Sequence, residues 1–291
     1  MRRTTRFRQL LADPEILVMP CCHDALSARV LEQAGFEAIA AAGFGLSGSL
    51  LGMPDIGLLE GQELIAQYGR IAAAVELPLF VDLDTGFGDA NNVVRAVQAA
   101  ERAGVAALFL EDQTYPKRCG HMAGKQVVPV EEYLPKLRAA LASRRDPDLV
   151  ITARTDAAAV LGLEEALRRA RLYAEAGADL VFVEALASVE DMRAANGMLA
   201  ACGTASMANL IEGGRTPQLP AQALQELGYA VVAYPCGSLF TAVRALQEWA
   251  AHLRAHGGSA GFQERMVDFD TYLQVVGLGA IRARQAQWEG G

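Results

Sequence analysis

Eight short apolar runs, most of them followed by a helix-like stretch, constrain the fold of this chain more than any other feature. The runs are Ile16–Met19, Glu37–Ala41, Leu79–Asp82, Ala107–Glu111, Leu149–Ala153, Leu180–Glu184, Ala205–Ala208 and Ala230–Tyr234. They are apolar almost throughout rather than alternating, as in strands of a parallel sheet that are buried on both faces. We therefore predict an α/β protein with eight parallel strands.

Helices are predicted between these runs, for example at Asn91–Ala103 and Leu163–Ala176. Gly35, Gly104 and Gly177 stand directly before the next strand, where glycine commonly ends a helix. A repeat of strand, turn and helix without interruption is typical of a closed (β/α)₈ TIM barrel.

No linker-like segment divides the chain, so a single domain over residues 1–291 is predicted. Two further helical stretches, Ser238–His256 and Gly261–Gln287, exceed what a barrel requires. We expect these extra C-terminal helices, at about 238–287, to serve subunit contacts.

Charge and cysteine content narrow the class of protein. The net charge is −8 and no run of Lys or Arg is dense enough to follow a phosphate backbone, which argues against nucleic acid as a partner. The five cysteines are odd in number and far apart, which favours a reducing compartment over a disulfide framework. No signal core and no apolar stretch of about 18 residues occurs, so a cytoplasmic protein without a membrane segment is predicted.

Acidic residues gather where predicted strands end. Asp82 and Asp84 lie two residues apart at the end of the third strand, and Glu111 ends the fourth. The carboxyl ends of barrel strands carry the chemistry in this fold, and carboxylates suit Mg²⁺, or Mn²⁺ in its place. The alternative is that these acids are helix caps and turn formers.

A cationic segment surrounds one cysteine after the fourth strand. Lys117, Arg118 and His121 flank Cys119, and Gly120 follows it. Positive charge lowers the pKa of a thiol, so we expect a proton donor or nucleophile with a lowered pKa on an exposed, mobile loop over residues 117–129. An inert surface cysteine is the alternative.

Other candidates are less specific. Arg154, Glu184 and Asn209 predict either a clamp for a carboxylate substrate or a structural ion pair. The sequence Gly43 to Gly48 matches a dinucleotide-binding pattern, but no acidic residue ends a strand about 20 residues later, so turn amides that bind a carboxylate are the better interpretation. The remaining cysteines are interpreted as small buried apolar residues: Cys21, Cys22, Cys202 and Cys236.

These motifs together resemble the isocitrate lyase and phosphoenolpyruvate mutase superfamily, in its lyase branch of 2,3-dimethylmalate lyase, methylisocitrate lyase and petal death protein. The resemblance runs from about residue 24 to about 241. Its carriers are the segments 51–55, 82–88, 111–113, 117–121, 152–156 and 209–214. It implies a (β/α)₈ barrel, Mg²⁺ and a homotetramer.

The resemblance also implies roles for individual residues. Mg²⁺ would be held, directly or through water, by Asp82, Asp84 and Glu111, and Cys119 would be a general acid. The other members of the catalytic group would be Lys117, Gly120, His121, Arg154 and Glu184. Substrate would be bound by Gly43, Phe44, Asp55, Asn209 and Glu212.

The implied activity is cleavage of a 2-hydroxy carboxylic acid to pyruvate and a second carboxylate. Two departures favour an alkyl-malate over a tricarboxylate substrate. In the first, Ala42 and Phe44 replace the Ser and Gly that relatives often have in the carboxylate-binding turn. In the second, Leu210 and Ile211 occupy the segment in which methylisocitrate lyases tend to have a threonine. A carboxyphosphonoenolpyruvate mutase, an oxaloacetate hydrolase and a non-catalytic carboxylate-binding barrel are the alternatives.

Overall fold

The computed structural model describes residues 1–289 and contains, within that range, eight parallel strands in one sheet. The strands are β1 Leu17–Pro20, β2 Ile39–Ala41, β3 Leu79–Asp82, β4 Ala107–Glu111, β5 Val150–Thr155, β6 Leu180–Val183, β7 Ala205–Asn209 and β8 Val231–Tyr234. Neighbours in sequence pair in order, and β8 pairs with β1. A bridge between Cys21 and Ala40 links β1 to β2, so the sheet is a nearly closed barrel and the predicted fold is confirmed.

Helices alternate with the strands on the outside of the barrel. They are α1 Arg3–Leu11, α2 Ala25–Gln33, α3 Gly43–Leu46, α4 Gly61–Ala74, α5 Ala90–Arg102, α6 Val130–Ser143, α7 Ala158–Leu161, α8 Leu163–Glu175, α9 Val189–Ala201, α10 Ala221–Glu226, α11 Gly237–His256, α12 Phe269–Val275 and α13 Leu278–Glu289. The predicted helices at Asn91–Ala103 and Leu163–Ala176 are confirmed to within one residue at each end.

Several helix boundaries follow from local side-chain chemistry. Asp89 accepts hydrogen bonds from the backbone N–H groups of Asn91 and Asn92 at the start of α5, and Ser188 caps α9 through the N–H of Asp191. Asp24 caps α2 in the same way, through the N–H of Ser27. Each cap satisfies an N–H that has no partner within its helix.

Because the strands are buried on both faces, the apolar residues form two cores. One fills the barrel and includes Phe80, Phe109 and Phe182. The centroid of the Phe109 ring lies 5.6 Å from that of Phe80 and 6.1 Å from that of Phe182. The other lies between the sheet and the helices and includes Tyr68 and Tyr173. These two layers explain why the strand sequences are apolar without alternation.

The first helix closes the amino-terminal end of the barrel. Phe7 of α1 is fully buried and stacks on Phe80 with a centroid distance of 6.1 Å. Arg8 donates to the backbone oxygen of Asp148 and to the carboxylate of Asp179, which ties α1 to the edges of β5 and β6. The opposite, carboxyl end of the barrel is the end left for a binding site.

In the described part of the chain, three α-helices follow the last strand, and one of them, α12, contacts α2 of the barrel. The helix α11 begins one residue before the predicted Ser238–His256 and has no buried residue. The predicted single stretch Gly261–Gln287 is wrong in detail, because it divides into a 3₁₀ turn at Gln263–Arg265, then α12 and α13. Asp268 caps a new helix start through the N–H of Thr271, and Gly277, with φ of 76°, separates α12 from α13.

Two further predictions concern the whole chain. Within residues 1–289, no helix combines the length and the apolar character needed to cross a membrane. The predicted domain range of 1–291 includes residues 290 and 291, which lie outside the described residues.

Truncation of the Phe7 side chain tests the closing role of α1. Phe7→Ala removes a fully buried ring from the barrel interior, so we expect the free energy of unfolding to fall by about 3–5 kcal/mol. Urea denaturation at fixed protein concentration measures this. Leu161→Ala, at a side chain that is 54% exposed, is the control and should change the value by no more than about 0.5 kcal/mol. An equal effect of the two variants would contradict the role of Phe7.

Candidate active site

The carboxyl ends of the strands enclose a small cavity of about 50 Å³. Its floor is the aromatic core of the barrel, and its roof is the segment that carries Cys119. Residues predicted for the site that line it are Phe44, Asp55, Asp82, Lys117, Cys119, Gly120, Arg154, Glu184 and Asn209. With the roof in this position the cavity is small for a substrate.

An acidic group forms one wall. Lys117 places its ammonium group 2.7 Å from Asp55 Oδ1, 2.7 Å from Asp84 Oδ1 and 4.0 Å from Asp82 Oδ2. Asp82 Oδ1 accepts the backbone N–H of Asp84, and its Oδ2 accepts that of Gly43 at 3.3 Å. The backbone N–H of Gly43 is therefore engaged with an acid in this structure.

Backbone conformation and close approach fix this wall. Asp84 has φ of 49°, a left-handed value that turns its carboxylate back toward the strand ends. A Cβ at Gly43 would lie 2.8 Å from Lys117 Nζ and 3.1 Å from Asp55 Oδ1. Only glycine allows the two charged groups to meet at this point.

Negative charge exceeds positive charge around the cavity. Apart from the neighbouring Asp112–Arg169 pair, this end of the barrel brings three buried cations within residues 1–289, Lys117, Lys125 and Arg154, to six buried carboxylates. The six are Asp55, Asp82, Asp84, Glu111, Asp156 and Glu184. Uncompensated buried charge is costly, so the site needs additional positive charge or bound protons.

The pKa values show where this shortage lies. Burial raises the pKa of Asp84 to about 7, against the lowering effect of Lys117. Burial likewise raises the pKa of Glu111 above its usual range, although Arg154 opposes the rise. Glu111 Oε1 is buried and accepts no hydrogen bond, and Asp84 Oδ1 contacts the ammonium of Lys117 without the geometry of one.

These orphaned oxygens are suited to a hard divalent cation such as Mg²⁺, which binds oxygen ligands and keeps several waters. No group of three His, Cys, Asp or Glu side chains in the described part of the chain is close enough to hold an ion through direct bonds alone. The orphaned oxygen of Glu111 and the excess of buried carboxylates are the features of these residues that fit such an ion.

Arg154 forms the opposite wall with Glu184. Its NH1 lies 3.2 Å from Glu111 Oε2 and its NH2 lies 3.3 Å from Glu184 Oε2. The guanidinium lies above the rings of Phe109 and Phe182, at 5.6 and 5.2 Å from their centroids. Arg154 therefore joins the acidic group to Glu184 across the aromatic floor.

His121 and Asn209 both contact Glu184. His121 Nε2 is 3.0 Å from Glu184 Oε1, and Asn209 Nδ2 donates to Oε2 at 3.1 Å. His121 Nδ1 accepts the backbone N–H of Arg215, which assigns the ring proton to Nε2 when the ring is neutral. Although burial alone would raise it, Arg154 and the hydrogen bond from His121 hold the pKa of Glu184 below its usual range.

The predicted environment of Cys119 is wrong. The side chain is 9% exposed rather than open to solvent, and the neighbouring cations turn to other partners: Lys117 to acids, and Arg118 to the backbone oxygen of Ala123. Burial raises the pKa of the Cys119 thiol to about 11, which outweighs the lowering effects of the His121 N–H and of Arg154. The group is therefore a protonated thiol at neutral pH.

Two buried residues that contact the site were not predicted from the sequence, Asp156 and Lys125. Asp156 accepts two hydrogen bonds from Arg154, at 2.8 Å from Nε and 3.1 Å from NH2, and it binds Lys125 Nζ at 2.6 Å. The signal was present, because Asp156 lies two residues after Arg154 and so on the same side of the strand. For Lys125 the sequence offered no partner.

Some predicted residues lie elsewhere. Glu212 is exposed and lies near Gly237, at the start of α11, outside the cavity wall. Leu210 is fully buried in the outer core, so only Ile211 of the predicted pair lines the cavity. Cys202 is exposed at the end of α9, contrary to prediction, whereas Cys21, Cys22 and Cys236 are buried as predicted.

Family and sequence comparisons agree with the predicted resemblance. The family model described as phosphoenolpyruvate phosphomutase matches residues 7–254. The chain is 41% identical to 2,3-dimethylmalate lyase of Eubacterium barkeri, over 97% of this chain and 96% of that protein. It is 40% identical to the chloroplastic carboxyvinyl-carboxyphosphonate phosphorylmutase of Arabidopsis thaliana, over 95% and 82%. It is 41% identical to the probable 2-methylisocitrate lyase 1 of Corynebacterium glutamicum, over 91% and 86%.

Solved structures give the same result. A 2,3-dimethylmalate lyase crystal structure superposes with a TM-score of 0.93 at 34% identity, over 99% of this chain and 95% of that chain. Oxaloacetate acetylhydrolase in complex with 3,3-difluorooxalacetate gives 0.93 at 33% identity, over 100% and 99%. Phosphonopyruvate hydrolase in complex with oxalate and Mg²⁺ gives 0.88 at 31% identity, over 99% of both chains.

The pH dependence of thiol alkylation tests the environment of Cys119. Because burial raises the pKa to about 11, the reactive thiolate forms only at high pH. The rate of iodoacetamide modification at Cys119, followed by peptide mass spectrometry, should therefore still rise about tenfold per pH unit between pH 8 and 10. A plateau below pH 9 would show that the thiol has the lowered pKa expected from its sequence neighbours.

Proposed function

The chain belongs to the phosphoenolpyruvate mutase and isocitrate lyase superfamily and is a carbon–carbon lyase, and we propose that with Mg²⁺ it cleaves a 2-hydroxy carboxylic acid of the 2,3-dimethylmalate type. The products would be pyruvate and a second carboxylate. One observation carries the proposal: a buried, protonated thiol, Cys119, lies in one small cavity with an arginine and an acidic group.

Asp82, Asp84 and Glu111 would hold the ion, directly or through water, and Asp55 would support them. Support comes from the excess of buried carboxylates and from the orphaned oxygen of Glu111. When bound, Mg²⁺ would supply a Lewis acid for the substrate's oxygens.

The residues of the chain supply binding and proton transfer. Arg154 would bind a carboxylate of the substrate and stabilise the negative charge that develops as C2–C3 breaks. The electron pair of that bond would move to the C3 fragment, the C2 hydroxyl proton would pass to a carboxylate of the acidic wall, and C3 would receive a proton from Cys119 Sγ. Return of the proton from that carboxylate, through water, would restore the thiol once the products have left. A thiol with a pKa of about 11 keeps its proton until a stronger base, the carbanion-like fragment, forms beside it.

Glu184 would orient the donor and the substrate rather than transfer the proton itself. Its carboxylate is held ionised by Arg154 and His121 and also accepts from Asn209. His121 is carried by the same segment as Cys119, so its bond to Glu184 helps to close the roof over the substrate. Closure excludes water, which would otherwise protonate the fragment without control.

The cavity favours an alkyl-substituted acid. Phe44, Ile211 and Ala42 all line it, and Ala42 lies between the end of β2 and the start of α3. Phe44 is fixed by an edge contact with Phe240, with ring centroids 6.0 Å apart. An apolar lining accepts a methyl group at C3 more readily than a third carboxylate, which would need a new cation.

Two other reactions on this scaffold are represented among the relatives: the transfer catalysed by the phosphorylmutase and the hydrolysis catalysed by oxaloacetate acetylhydrolase. The buried thiol favours cleavage of a carbon–carbon bond over the transfer, because the carbon fragment that such cleavage releases needs a proton. Hydrolysis of oxaloacetate also breaks a carbon–carbon bond, so the products separate it from the lyase reaction. Product analysis by ³¹P resonance and by detection of oxalate distinguishes the three.

A homotetramer completes the proposal. The helix α11 has no buried residue and exposes Phe240, Val243 and Leu246, and α12 exposes Phe269. Such an apolar surface commonly binds another subunit. The resemblance supports four copies, and light scattering of the purified protein measures their number.

Removal of divalent ions tests the metal. Excess chelator should abolish cleavage of 2,3-dimethylmalate, and Mg²⁺ or Mn²⁺ should restore it, because Asp84 and Glu111 need compensating charge. Pyruvate release measures the activity, and a chelator already saturated with Mg²⁺ is the control. Full activity in excess chelator would contradict metal dependence.

Parallel kinetics on three acids test the substrate class. We expect kcat/KM for 2,3-dimethylmalate to exceed the values for 2-methylisocitrate and isocitrate by at least tenfold, about 1.4 kcal/mol. Phe44→Gly should narrow this difference by removing apolar lining, and Leu210→Val, in the outer core, is the matched control. A tenfold preference for 2-methylisocitrate would show that a cation pairs with the extra carboxylate.

A further inference from the structure

The roof segment, which we define as residues 117–125, is held at each end by a buried ion pair. At one end Lys117 contacts the acidic group already described. At the other end Lys125 has a side chain that is 2% exposed, and it contacts an Asp156 carboxylate that is fully buried. Lys125 is not among the residues that line the cavity, so it acts on the site only through its neighbours.

The ammonium group of Lys125 joins two parts of the site. Its Nζ lies 2.6 Å from Asp156 Oδ1 and also donates to the backbone oxygen of Gly120. Asp156 in turn holds Arg154 through two hydrogen bonds. The Asp156 carboxylate therefore holds two groups of the site. It binds the Arg154 guanidinium directly, and it binds the Gly120 peptide through Lys125.

Gly120 is the point where this anchor acts. A Cβ at Gly120 would clash with Arg154 and would lie 2.6 Å from Glu184 Oε2, so the peptide rests directly on that ion pair. Cys119 precedes Gly120, and the N–H of Met122 donates to the backbone oxygen of Cys119 at 2.9 Å, which closes a tight turn. The hydrogen bond from Lys125 to the Gly120 oxygen therefore holds this turn, and the Cys119 thiol with it, at the cavity.

We propose that Lys125 is a positioning residue that holds the Cys119 turn closed by joining the Gly120 oxygen to the carboxylate that orients Arg154. The proposal rests on the proposed function only for the role of the thiol as proton donor. Lifting the roof separates the Lys125–Asp156 pair, while Arg154 keeps its bond to Asp156. Opening of the roof segment therefore breaks the buried Lys125–Asp156 ion pair, while the Arg154 guanidinium stays in place.

Burial of an ammonium and a carboxylate is an expensive way to stabilise a loop, since a well-packed apolar pair commonly does as well. A buried ion pair is suited instead to a segment that must close in one defined position and must also open again. Burial alone would raise the pKa of Asp156, but Arg154 and Lys125 hold it below its usual range. The carboxylate therefore remains charged and available to both partners.

Alkylation of Cys119 in the absence of substrate tests the proposal independently of any lyase activity. The variants are Lys125→Met, which keeps an unbranched stem without the charge, and Lys125→Gln, which keeps a donor. Lys136→Met is the matched control, since Lys136 is partly exposed on α6 and outside this group. The rate of N-ethylmaleimide modification is followed at the Cys119 peptide, with exposed Cys202 as internal reference.

We expect Lys125→Met to be modified at Cys119 at least tenfold faster than wild type, with the rates at Cys202 and in Lys136→Met unchanged. On an alkyl-malate, kcat should fall at least tenfold while KM changes by less than threefold, because closure rather than initial binding is impaired. A folded Lys125 variant with the wild-type rate at Cys119 would overturn the proposal. So would failure of both Lys125 variants to fold, which would make the residue structural. Faster modification without any lyase activity would support the positioning role and count against the proposed function alone.

Discussion

The excess of buried negative charge at the carboxyl end of the barrel is the constraint on which the rest of the site depends. Three cations must serve six buried carboxylates, and two of them are shared: Lys117 between Asp55 and Asp84, and Arg154 among three acids. At Asp84 and Glu111 the shared cation does not offset the effect of burial, and the pKa values of these two carboxyl groups rise. The shortage of positive charge is thus concentrated where the proposed Mg²⁺ would bind.

The same charges hold the roof. Lys117 and Lys125 both belong to the segment above the cavity, so closing that segment brings two ammonium groups into the acidic site. Cys119 lies between them and is buried by the closure. A thiol that would be acidic beside free cations in water thus becomes a weak acid, because burial outweighs the remaining positive charge. The position of this segment therefore accounts both for the covered cavity and for the protonated state of the thiol.

Much of the fold could be predicted from the sequence, because buried parallel strands and helix-ending glycines leave clear patterns. The acids at strand ends were also predictable, since strand polarity places them on one edge. The state of Cys119 was not, because sequence neighbours such as Arg118 point away from it in space. Lys125 was missed for a similar reason: its partner, Asp156, is 31 residues away and is brought to it only by the barrel.

The central claim is that Cys119 is the proton donor of a lyase. The most direct measurement is kcat of Cys119→Ser for pyruvate release from 2,3-dimethylmalate at saturating Mg²⁺, with circular dichroism to confirm folding. A serine hydroxyl fills almost the same space but is a far weaker acid, so kcat should fall by about 10²–10⁴-fold, with KM little changed. A folded variant with kcat within threefold of wild type would contradict the account and leave the segment as a simple lid.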